Sequence, residues 1–197
     1  MTRDFNDDLK KSQKASRSIE IEEIYEKKLQ SKIKKRTEIK DKSQQNAGYD
    51  IELHLEDGRL LTIEEKFRWT FYPDLLLEIK HENDNNKIGW LYTSEAEILA
   101  YFQMKDSFIL TLLKLKELAQ WSRSVEFLKL LTEGVIKEKS SETKRGEHHW
   151  RTKNYVVPFH ILRNKNFEYR NKKYEKTRKD LPLEFYGTQY EKENNKI

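Results

Sequence analysis

Between Gly48 and Lys66 apolar and polar residues alternate with a period of two. Ile51, Leu53 and Leu55 are interleaved with Asp50, Glu52, His54 and Glu56, the pattern of a half-buried strand. Asp57-Gly58 then supplies the pair favoured where both turn positions need positive φ. A second strand runs from Leu60 to about Trp69, so the stretch predicts a β-hairpin. Further strands are expected at Asp74 to Lys80 and at Phe108 to about Lys114.

Helical spacing appears first at Ser18, a plausible N-cap, where Ile21, Ile24, Tyr25, Leu29 and Ile33 recur at intervals of three and four. This helix is expected to reach about Lys34, with acids in its first half and bases in its second, as the helix dipole favours. The spacing predicts another helix from about Ser94 to Met104, and two more over Lys116 to Arg123 and Val125 to Leu131. A short strand is expected near Thr37 to Lys42. Residues 137–149 read as a charged loop, and Tyr155 to Leu162 as an edge strand, because Pro158 is tolerated there. Trp69 and Phe71 are expected in the core. Together these elements predict an α/β (α+β) fold, with a central mixed β-sheet of four to five strands flanked by helices.

The hairpin also carries chemistry. Side chains alternate across a strand, so Glu64 and Lys66 share one face and Asp50 lies on the neighbouring strand. Two carboxylates close together repel unless a cation sits between them, and Mg²⁺ prefers such hard oxygen ligands. A divalent cation makes a water a better nucleophile at neutral pH, and a nearby lysine can hold that water and offset phosphate charge. Acid, acid and lysine around a cation point to phosphodiester hydrolysis.

An Asp, a gap spanning a hairpin, then Glu-x-Lys resembles the PD-(D/E)XK nuclease superfamily, over roughly residues 45 to 115. Two residues depart from its pattern: Tyr49 stands where the name-giving proline would be, and the middle residue is Glu65 rather than apolar. A carboxylate on the apolar side of a sheet needs a partner. The resemblance implies a restriction-endonuclease-like core over 18–162, after a polar segment 1–17 and before a basic, aromatic-bearing extension 163–197. It also implies that Asp50, Glu64 and the main-chain carbonyl of Glu65 hold Mg²⁺ or Mn²⁺, and that Lys66 positions the attacking water. Glu78, on the next strand, and Glu20 or Glu23, on the first helix, are the further acids it suggests. Tyr101 and Gln103 are polar groups that the following helix would lend. Glu78-Ile79-Lys80 is an alternative to the Glu64/Lys66 assignment: three residues cannot turn a hairpin between Asp74 and Glu78, but Asp50 could pair with Glu78 instead.

Composition adjusts this picture modestly. The chain has 197 residues, one domain by size, with 37% charged and 36% apolar residues, which makes for a lean core. A formal charge of +5 is compatible with a polyanionic partner. Arg68 shares the Glu64 face, and Lys144, Arg145, Arg151 and Lys153 are candidate phosphate contacts. Arg170, Lys172 and Lys173 lie in a tail where bases alternate with aromatic residues, which suits phosphate contact and base stacking. The expected partner is nucleic acid, DNA ahead of RNA, and a homodimer is compatible with cutting two strands. Cysteine is absent, so thiolate metal sites are excluded, and His148-His149 lack a third ligand at suitable spacing. No apolar run reaches the roughly 20 residues of a bilayer span, and no signal-peptide core is visible, so an intracellular, cytoplasmic setting is expected. Two other functions compete with a cutting enzyme: a nuclease-like module that binds nucleic acid or protein without cutting, and a plain structural hairpin whose charges face solvent.

Overall fold

The computed structural model describes residues 5–39, 48–82, 87–145, 148–165 and 167–169. Two helices open the chain, α1 (Phe5–Ser16) and α2 (Ile19–Leu29), followed by strands β1 (Ile33–Glu38), β2 (Ile51–Leu55), β3 (Leu60–Arg68) and β4 (Asp74–His81). A single helical turn, α3 (Trp90–Thr93), leads into β5 (Ile98–Met104) and β6 (Phe108–Lys114). Helices α4 (Leu115–Trp121) and α5 (Val125–Thr132), strands β7 (Lys137–Arg145) and β8 (His148–Pro158), and α6 (Phe159–Arg163) complete the described fold.

Five strands form a mixed sheet in the order β1-β2-β3-β5-β6, and three form a second sheet in the order β4-β8-β7. In the larger sheet β3 and β5 are parallel, whereas the β1–β2, β2–β3 and β5–β6 pairs are antiparallel. One face is covered by α2, whose Ile21, Tyr25 and Leu29 are buried against Leu53, Ile63 and Phe102. Each such apolar side chain contributes about 1.5–3 kcal/mol when fully buried. The other face, through Leu99, Tyr101 and Leu113, packs with Leu75, Leu77 and Val157 of the second sheet and with Trp121 and Phe127 of α4 and α5. No helix among the described residues is long and apolar enough to cross a membrane.

Several elements differ from expectation. The polar opening contains α1, whose Ala15 is buried. Helix α2 stops at Leu29 because Gln30 takes a left-handed conformation (φ 54°), which frees Ile33 to start β1 earlier than the strand expected at 37–42. The stretch expected as a helix from Ser94 to Met104 is, from Ile98 onward, β5, a central strand buried on both faces between β3 and β6. A continuous apolar run carries no period that separates the two, and burial between strands decides it. The expected charged loop is largely β7, polar because it is a sheet edge. Strand β8 is central rather than an edge, and Pro158 is harmless because it closes the ladder opposite Asp74. Phe159 to Arg163 is helical. Part of the extension belongs to the fold: Phe167 is buried beside Trp121, and Glu168 bridges to Leu113 on the β6 edge. Trp69 contacts the Phe67 and Phe108 rings but, like Phe71, is only half-buried and belongs to neither core cluster, short of the expected core position.

Candidate functional site

The hairpin turn fixes which side chains meet. Leu55 N–H donates to the Arg59 carbonyl (2.9 Å), and only Gly58 of the loop has positive φ (86°). The loop is therefore Glu56-Asp57-Gly58, three residues ending in a left-handed glycine, not the two-residue turn expected at Asp57-Gly58. The difference is one residue of register, and one residue flips every side chain to the other face. A two-residue loop would set Asp50 opposite Glu65. The observed ladder runs His54–Leu60 to Ile51–Ile63, which sets Asp50 next to Glu64.

Asp50 lies exposed at the end of β2, and its Oδ2 accepts the Glu65 backbone N–H at 2.8 Å. The N–H and C=O of one strand residue point the same way, so the Glu65 carbonyl also faces the Asp50 side. Glu64 is 6% exposed. It forms an ion pair with Lys66, and its Oε2 lies 3.2 Å from the Ser94 hydroxyl. Burial raises the Glu64 pKa, Lys66 opposes that, and the Asp50 charge adds to it. Burial lowers the Lys66 pKa, but Glu64, Asp50 and Glu78 together hold it above the ordinary lysine value. Lys66 is thus a firmly charged ammonium, suited to donating hydrogen bonds and offsetting negative charge rather than to abstracting a proton. The indole of Trp90 lies 5.3 Å from its Nζ.

On the opposite face of β3, Glu65 has the partners its burial requires. Its side chain is only 6% exposed and accepts from Tyr25 Oη (2.8 Å), Ser16 Oγ (2.5 Å) and Arg36 (3.4 Å). Burial raises its pKa, partly offset by Arg36. The carboxylate that breaks the apolar pattern of Glu-x-Lys thereby ties α1, α2 and β1 to the central strand.

Other expected site residues divide. Glu78 is close enough for its charge to act on Lys66, although β4 belongs to the second sheet, and it pairs with His81 at 3.2 Å. Glu20 and Glu23 are exposed on α2, which covers the Glu65 face, so the sheet separates them from Glu64. Glu23 instead acts on Lys32. Arg68 shares the Glu64 face but is held by Asp74, by Tyr101 Oη (3.4 Å) and by the Tyr72 ring (4.0 Å). That leaves Tyr101 and Gln103 engaged as well, the latter donating to the Tyr72 carbonyl. The rival Asp74 and Lys80 lie in the second sheet, Asp74 paired with Arg68 and Lys80 at a ladder irregularity after Glu78. Arg151 pairs with Glu82 and Glu142, and Lys153 with Glu138. The side chains of Lys144 and Arg145, and all of Arg170, Lys172 and Lys173, lie outside the described residues.

Trp90 and Ser94 were not signalled by the sequence, because nothing local indicates that the segment after β4 returns to the hairpin. The glycines beside them are the available clue. A Cβ on Gly89 would meet the Glu78 carbonyl oxygen at 2.5 Å, and one on Gly48 the Thr93 carbonyl oxygen at 2.7 Å, so both backbones approach closely. Among the described residues no three His, Cys, Asp or Glu side chains converge as a metal cluster. The available oxygen donors are two carboxylates and a carbonyl. Comparisons with protein-family models, with curated proteins and with solved structures give no match to this chain.

Proposed function

We propose that the protein is a metal-dependent nuclease that hydrolyses phosphodiester bonds in nucleic acid, DNA ahead of RNA, on a PD-(D/E)XK-type, restriction-endonuclease-like core. The observation that carries this reading is the meeting of Asp50, Glu64 and Lys66 at the open end of one hairpin. The donor set fits Mg²⁺ or Mn²⁺: burial raises the Glu64 pKa and the neighbouring Asp50 charge adds to it, a strain that a cation between them would relieve, and the Glu65 carbonyl faces the same end. Asp50 and Glu64 would hold the cation with that carbonyl, and a cation so held would acidify a water and polarise the phosphate. Lys66 orients the water and offsets charge on the phosphate oxygens through its ammonium. Glu64 and Asp50, with a smaller contribution from Glu78, keep that ammonium protonated. By the same resemblance the product carries a 5′-phosphate.

A second reading, a nuclease-like module that binds nucleic acid or a protein without cutting, is favoured by one observation. Lys66 already neutralises Glu64, so a cation must compete for that carboxylate. Incubating plasmid, single-stranded and branched DNA with the protein, with and without Mg²⁺, separates the two. A nuclease cuts at least one of them only with Mg²⁺ and fails when Asp50 or Lys66 is replaced by alanine. A binding module retains its nucleic acid and leaves it intact in every case.

A further inference from the structure

We propose that the turn from Gly89 to Ser94 is the positioning element of the site, with Trp90 holding Lys66 and Ser94 holding Glu64; the cation-binding consequence rests on the function proposed above. Pairing with β5 sets Glu64 opposite Leu99 and Lys66 opposite Tyr101, which fixes their backbone but not the charged end of either side chain. Lys66 carries a long, entropically costly side chain, and it is 31% exposed. An ammonium over an aromatic face is held electrostatically by the ring quadrupole, best by tryptophan. Trp90 supplies that face at 5.3 Å. Ser94 sits across the pair, its hydroxyl 3.2 Å from Glu64 Oε2, the oxygen that Lys66 does not take. The same hydroxyl, with one proton to share between Glu64 Oε2 and the Gly48 carbonyl, accepts from Ala96 N–H at 3.3 Å, so the main chain fixes where its oxygen sits.

The main chain is arranged to deliver these groups. Gly89 N–H donates to the Ile79 carbonyl at 2.8 Å, which seats the turn on β4. Gly48, at φ 70°, lets the strand leading to Asp50 pass against Thr93 and Ser94. One turn thus contacts β4, the approach to β2 and both partners on β3. A serine that merely capped its own turn would need only the Ala96 contact, and a tryptophan that merely packed would not need an ammonium on its face.

The test measures the ¹⁵N order parameter of the Lys66 ammonium without metal, and Mn²⁺ binding by calorimetry, in wild type and four variants. Trp90→Leu is expected to drop the order parameter below about 0.6, and Trp90→Phe, which keeps a ring, to leave it near the wild-type value. Ser94→Ala is expected to lower it too and to weaken Mn²⁺ binding at least about tenfold, with Ser94→Thr restoring both. Unchanged order parameters in Trp90→Leu and Ser94→Ala, both still folded, overturn the proposal. Should either variant fail to fold, its conservative partner decides: an order parameter in Trp90→Phe or Ser94→Thr as low as that of a free side chain also overturns it. A wild type that binds no Mn²⁺ defeats the nuclease reading instead, and the metal-free measurement still decides the role of the turn.

Discussion

Asp50 Oδ2 caps the Glu65 backbone N–H at 2.8 Å, one residue beyond the last rung between β2 and β3. The contact fixes where the Asp50 charge sits, yet it lies at an exposed strand end where water can replace it. Asp50→Asn keeps an acceptor and is expected to leave stability within about 0.5 kcal/mol. Asp50→Ala removes the acceptor and should cost about 1 kcal/mol. Urea denaturation checks both, and a loss of several kcal/mol in either would mark Asp50 as a residue of structure rather than of chemistry.

Glu65 is the reverse case, a buried charge with three partners. Glu65→Leu restores the apolar pattern but leaves Arg36 with the partly exposed Glu38 (3.2 Å) in place of a buried anion, with an expected cost of about 3 kcal/mol. The double variant Glu65→Leu, Arg36→Met removes both charges and is expected to recover most of that loss. Equal stabilities for the single and double variants would mean the two residues do not act as a pair.

The pH dependence has a definite sign. Burial, the largest influence on each, raises both the Glu64 and Glu65 pKa values. The folded chain therefore keeps protons that the unfolded chain has released. The stabilisation is fully present below the unfolded value of about 4.3 and is lost as pH rises through the raised values. Metal-free protein should lose stability as pH rises above about 4.3, and Glu64→Gln should flatten part of that decline. Denaturation midpoints over that rise in pH test it, and a wild-type slope that Glu64→Gln leaves unaltered contradicts it.

Gly89 and Gly58 make a matched pair of tests. Gly58 has positive φ but open space around a would-be Cβ, whereas Gly89 faces the Glu78 carbonyl oxygen at 2.5 Å. Gly58→Ala is expected to cost about 1 kcal/mol from backbone strain alone. Gly89→Ala is expected to cost about 2–3 kcal/mol by forcing the turn off β4. Thermal unfolding ranks them, and the opposite order would show that the turn is loosely seated.

The first strand of the hairpin and α2 were legible because each has an unbroken period: two for the strand and three to four for the helix. β5 was not, since Ile98 to Phe102 is apolar throughout and buried between neighbours that the local sequence does not name. β7 hid for the opposite reason: an edge strand needs no apolar face, so Lys137 to Glu142 looks like a loop. Within the site, Glu64 and Lys66 followed from alternation alone. The position of Asp50 depended on whether the loop held two residues or three, and both lengths suit Asp57-Gly58. Trp90 and Ser94 reach the site only through tertiary packing of β4 against the larger sheet.

The central claim is that one divalent cation binds among Asp50, Glu64 and the Glu65 carbonyl, and paramagnetic Mn²⁺ added in small amounts to ¹⁵N-labelled protein tests it directly. The amide signals of Asp50, Glu64, Glu65 and Lys66 are predicted to broaden first, and to be spared when Asp50 is replaced by asparagine. Broadening that begins elsewhere, or that persists unchanged in Asp50→Asn, contradicts the account.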